Sequence, residues 1–175
     1  MISISYLTTV VIITGAWIAS RLAVALKNKK VDLKREVQLL LVYVCINVVA
    51  RFTLFRFGNV NNPLVFSVAN LLPPRVNLIP FVNLFDYPTV GEALLNVLGN
   101  TLMFVPLGIV FPIVYKRLDS YKMAALTGFC CSLCIELVQL FLDRVSDVDD
   151  LILNTLGYVI GYIIYRIFDS RKKVN

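Results

Sequence analysis

The sequence predicts an all-α fold, a polytopic transmembrane bundle of five helices, on three observations. Hydrophobic residues make up 58% of the 175-residue chain and the mean hydropathy is +0.78, well above an ordinary soluble domain. Five apolar stretches, at about 4–26, 37–57, 93–115, 123–142 and 150–168, each reach the roughly 20 residues that a helix needs to cross the hydrocarbon layer. Basic residues collect in alternate connections, which places the N-terminus outside and the C-terminus in the cytoplasm. The net charge of +6 therefore encodes orientation rather than a nucleic-acid partner.

The first stretch carries no basic residue before it, whereas Lys27, Lys29, Lys30, Lys34 and Arg35 follow it. That is the reverse of a signal peptide, so Ala23-Val24-Ala25 is read as part of a retained helix. Arg21, near its inner end, is expected to reach the interface along its own stem. Residues 1–36 form an added helix with a basic cytoplasmic loop; residues 37–175 form a four-helix membrane domain. The second helix runs outward and carries Arg51 about 9 Å below its outer end.

Segment 58–92 is too apolar for a plain solvated loop, with Leu71-Leu72-Pro73-Pro74 and then Asn77-Leu78-Ile79-Pro80-Phe81. Its prolines bar a continuous helix. It is expected at the membrane surface, or dipping in where protein or water satisfies its backbone. In the third helix Asn96 and Asn100 share a face that Phe104 and Gly108 continue, and Pro106 and Pro112 should bend it. Lys116, Arg117 and Lys122 form the next cytoplasmic connection.

The fourth helix holds Cys130, Cys131 and Cys134, which with Cys45 are read as small packing hydrophobes. It also carries Glu136 and Gln139. The following turn has four carboxylates, Asp143, Asp147, Asp149 and Asp150, beside Arg144 and Ser146. Their spacing lacks the glycine and terminal glutamate of an EF-hand loop. Asp149 and Asp150 suit the N-terminus of the fifth helix. Asn154, Gly157 and Gly161 then run down one side, and Gly157-x-x-x-Gly161 lets helix backbones approach closely. Arg171, Lys172 and Lys173 close the chain on the inside.

A carboxylate deep in a hydrocarbon-length helix is costly, which marks Glu136 as functional. By helical rise Glu136 and Asn100 both lie about 10 Å below the outer surface and Asn154 about 6 Å, level with Arg51. The expectation is one outer-leaflet cavity, with an Arg51–Glu136 ion pair and amides completing the polar set. Isolated amides such as Asn96, Asn100 and Gln139 serve equally well as interhelical hydrogen-bond glue. With no histidine in the chain, the commonest general base and metal ligand is missing. No metal, cofactor or catalytic residue is assigned.

Asn77-Leu78-Ile79-Pro80-Phe81, and Asn100 followed by Phe104-Val105-Pro106-Leu107-Gly108, resemble two motifs of VanZ-like membrane proteins. Glu136-x-x-Gln139 with Arg144, Asp147, Asp150, Asn154, Gly157 and Gly161 resembles that family's C-terminal signature. The likeness spans roughly residues 50–168, and Arg56 matches a basic position there. It implies a multi-pass protein of the cell membrane, associated with resistance to glycopeptide antibiotics, above all teicoplanin, whose acyl chain distinguishes it from vancomycin.

Three functions stay open at this stage. The leading one is a binding protein whose partner is a membrane lipid, a cell-wall precursor or a lipidated glycopeptide. The second is an enzyme on a lipid-linked or lipidated substrate, with Glu136 as base, Asp147 or Asp150 orienting Arg144, and Ser146 without a base of its own. The third is a small transporter or flippase, opposed by the nearly apolar inner halves of the helices. Oligomeric state is not legible.

Overall fold

A computed structural model describes residues 2–28, 32–55, 63–71, 75–82, 87–142 and 144–172. The sequence readings for Lys29, Lys30, Arg56, Leu72-Pro73-Pro74, Asp143 and Lys173 lie outside the described residues. Among the described residues five helices are long and apolar enough to cross a membrane: α1 (Tyr6–Asn28), α2 (Leu33–Leu54), α3 (Val90–Val114), α4 (Tyr121–Gln139) and α5 (Val148–Lys172).

Their starts follow local chemistry. Asp32 accepts from the backbone N–H groups of Lys34 (3.0 Å) and Arg35 (3.4 Å), Thr89 from that of Glu92 (3.2 Å), and Ser120 from that of Met123 (3.2 Å). Each cap satisfies donors that have no partner inside the helix. The helix of α4 stops at Gln139, short of the apolar run, because Phe141 and Leu142 bond back to Val138 and Gln139 three residues earlier. That tightening turns the chain toward α5 within a few residues. In α3 the helix runs on through Pro106 and Pro112.

Packing centres on α5, which lies along α3 and against α4, while α2 lies against α3. Backbone meets backbone between α3 and α5. A Cβ on Gly157 would fall on the Thr101 carbonyl, one on Gly161 on the Val105 carbonyl, and one on Gly108 on the Tyr158 carbonyl. Only hydrogen fits at those three places. The core below the polar end joins Val49, Phe104, Leu107, Ala124, Tyr158, Tyr162 and Tyr165.

Helix α1 stands at the side, with no buried residue in its apolar span. Thr14 and Tyr43 share a hydrogen bond of 2.5 Å, and Trp17 lies 5.2 Å from the Tyr43 ring. Arg21 does not merely reach the interface as expected: Glu36 opens α2 close by and pairs with it at 3.3 Å.

Short strands pin the irregular segments. β1 (Ile2–Ile4) pairs antiparallel with β2 (Leu64–Phe66), and β3 (Val76–Asn77) pairs parallel with β4 (Ser146–Asp147). The second pairing brings the proline-rich segment onto the turn between α4 and α5. At the opposite end, Asp119 accepts from the hydroxyls of Tyr162 (3.1 Å) and Tyr165 (2.9 Å) and pairs with Arg166 (3.4 Å). Arg35 donates to the Val114 carbonyl at 2.6 Å.

Candidate functional site

The site grows from Glu136, in the last turn of α4. Its Oε2 accepts from the Ser146 hydroxyl (2.7 Å) and the Asp147 backbone N–H (3.0 Å), so the carboxylate fastens the connecting turn to its own helix. Ser146, which by sequence has no base, thus lies in hydrogen-bond contact with one.

The expected Arg51–Glu136 ion pair does not form. Arg51 lies over the Tyr6 ring at 5.2 Å and donates to the Phe55 carbonyl at 3.4 Å. The reason is rotational. Phe52 and Thr53 are the α2 residues that face the site, and Arg51, about 100° before Phe52 on the helix, faces elsewhere. The guanidinium beside Glu136's end of the bundle is that of Arg144, which donates to the Thr53 carbonyl, as does Gln139 Nε2 at 2.8 Å. That carbonyl lies in the final turn of α2, where the helix offers no N–H of its own.

On α5, Asp150 accepts from the Asn100 amide of α3. Asn154 Nδ2 donates to Ser132 Oγ (3.0 Å), and that hydroxyl reaches the Asp150 carbonyl (3.4 Å). A brace closes over the turn from outside. Asn77 Nδ2 donates to Asp147 Oδ1 (3.1 Å), and the Phe81 N–H donates to Asp149 Oδ1 (2.7 Å). Phe81 adopts φ 60°, a left-handed conformation uncommon for a large side chain, and Pro80 sits exposed just before it.

These elements enclose a cavity of about 1190 Å³. Seven of the polar residues singled out by sequence line it together: Asn96, Asn100, Glu136, Gln139, Arg144, Asp150 and Asn154. Asp147 and Phe81 line a smaller neighbouring cavity of about 140 Å³ that shares Asn96, Asp150 and Tyr87 with the first. Gly157 and Gly161 lie in the α3–α5 contact instead, and Arg51 lies away from both cavities. Among the described residues no group of three or more His, Cys, Asp or Glu is placed to hold a metal ion.

Sequence reasoning missed Arg75, Tyr87 and Glu92, which also line the large cavity. Arg75 and Tyr87 come from non-helical backbone, where periodicity carries no facing information. Ser132 was findable, one helical turn from Glu136 and on its face. Burial first, then the carboxylates of Asp150, Asp147 and Asp149, push the Tyr87 hydroxyl above its usual pKa.

The family model for VanZ/LLP1 matches residues 39–169. The chain belongs to the VanZ/LLP1 family. No curated protein and no solved structure matches it. The VanZ match opens inside α2 and closes near the end of α5, so it contains every cavity-lining residue and leaves α1 outside. With five membrane-length helices, this VanZ-family chain is a multi-pass membrane protein.

Proposed function

We propose that this VanZ-family protein is a binding protein of the outer leaflet of the cell membrane. Its cavity receives the polar group of a membrane lipid, a cell-wall precursor or a lipidated glycopeptide such as teicoplanin. The observation that carries this reading is a cavity of about 1190 Å³ whose charged and amide-bearing wall adjoins Phe52, Leu95, Met103 and Ile135. Phe52 and Leu95 are exposed at 38% and 74% on the flank of the bundle, where acyl chains lie. A head group can enter while its chains stay in lipid. The outward position of this end rests on the basic connections at the other.

Catalysis is the second reading, and one contact favours it, the Ser146 hydroxyl against Glu136 Oε2. Against it, Ser146 is buried and is not among the residues that line the cavity. Product formation by the purified protein, lost in Ser146→Ala, would promote catalysis over binding.

The direct test is susceptibility of a host expressing the protein at matched levels as wild type, Glu136→Gln or Gly99→Phe. Gly99 lines the cavity and a Cβ built there meets nothing within 4 Å, so a bulky side chain can be introduced at the wall. Binding predicts protection against teicoplanin, little against vancomycin, and loss of protection in both variants. Teicoplanin susceptibility unchanged by the wild type would remove the antibiotic from the candidate ligands.

A further inference from the structure

We infer that the inner wall of the cavity takes a primary ammonium group, carried by the head group of a lipid. The inference rests on the binding reading above and narrows the ligand's chemistry. Three acceptor oxygens on residues of the wall, Glu136 Oε1, Gln139 Oε1 and Asn154 Oδ1, are buried and have no hydrogen-bond partner among the described residues. Their residues are 5%, 5% and 1% exposed, and all three line the cavity.

The partners of the other atoms determine which atoms are left over. The Thr53 carbonyl only accepts, so Gln139 presents its N–H groups there and its oxygen is left over. Ser132 Oγ spends its proton on the Asp150 carbonyl and accepts from Asn154 Nδ2, which again leaves the amide oxygen over. Glu136 uses Oε2 on Ser146 and Asp147 and leaves Oε1. Three buried acceptors without donors are an unusual set, since a buried polar group left without a partner is destabilising.

An ammonium supplies three N–H donors from one atom and accepts nothing. A hydroxyl brings one donor, and a quaternary ammonium brings none. Charge points the same way. Among the described lining residues, Glu92, Glu136 and Asp150 stand against Arg75 and Arg144, so the carboxylates outnumber the guanidiniums by one. An ammonium placed beside Glu136 offsets that excess locally. Phosphatidylethanolamine is a membrane lipid whose head group carries such an ammonium.

The test is native mass spectrometry of the full chain in detergent with acyl-matched phosphatidylethanolamine, its N,N-dimethyl derivative, phosphatidylcholine and phosphatidylglycerol. Glycerophosphoethanolamine is added as competitor in a second arm. Retention should fall in the order primary, dimethyl, quaternary, with about tenfold between the first and last, the scale of one charge-assisted hydrogen bond. The preference should vanish in Glu136→Gln, and binding itself in Gly99→Phe. Gln139→Leu, which leaves the carboxylate and its loop contacts in place, should weaken the preference if Glu136→Gln does not fold.

Displacement by the soluble competitor would keep the ammonium and show that the head group alone suffices; resistance to it would keep the ammonium and require the lipid. Lipid binding that is abolished by Gly99→Phe but indifferent to methylation, or that favours phosphatidylglycerol, overturns the ammonium while the cavity reading stands. Lipid binding unaffected by Gly99→Phe overturns both.

Discussion

Glu136 divides its work between two oxygens. Oε2 holds Ser146 and the Asp147 N–H, and Oε1 has no partner among the described residues. Replacing the residue by Ala strands a buried hydroxyl and a backbone N–H, each costing about 1–3 kcal/mol. Glu136→Ala should therefore unfold in detergent well below Glu136→Gln, whose amide oxygen still accepts; equal melting temperatures for the two would contradict this division. At the far end, burial acts to raise the Asp119 pKa, but the hydroxyls of Tyr165 and Tyr162 and the Arg166 guanidinium outweigh it and hold it below 3.8. A lowered carboxyl pKa contributes stability above about pH 4 that is lost as pH falls through the folded value. Asp119→Asn should flatten that acid limb in a pH series of thermal unfolding, and an unchanged limb would locate the acid sensitivity elsewhere.

Between elements, the α3–α5 contact leaves least room. Gly157→Ala sets a methyl group on the Thr101 carbonyl, and Gly161→Ala sets one on the Val105 carbonyl; both should abolish the monodisperse, folded protein on size exclusion. Gly99→Ala, on the same α3 helix, meets nothing within 4 Å and should leave folding intact or raise stability by about 0.5–1 kcal/mol through helix propensity. If all three variants behaved alike, the close approach of α3 and α5 would be in error. The glycine spacing of α5 was legible in the sequence because close helix contact demands it. The part played by Asn77 and Phe81 was not. Their motif stands in a proline-rich segment, and only the parallel pairing of β3 with β4 places it as a brace on Asp147 and Asp149.

At the scale of the molecule, polar residues gather at one end of the bundle and the Asp119 latch with its cations at the other. If the cavity faces outward, Val145→Cys, exposed in the turn beside it, should react with an impermeant thiol reagent on intact cells. Arg117→Cys, in the basic connection, should react only after permeabilisation; the reverse pattern would invert the topology and move the cavity to the cytoplasmic leaflet. The sequence by itself determined the five helices, because a hydrocarbon layer permits only long apolar segments with their backbone groups paired internally. It also determined depth, since rise per residue converts position into height, and so brought Asn100, Glu136 and Asn154 to one level. Rotation about each helix axis is a second coordinate that height does not contain. Between α3 and α5 it was decided by the glycine contacts and at Arg144 by the pinned turn after α4, while the rotation of α2 turned Arg51 toward Tyr6.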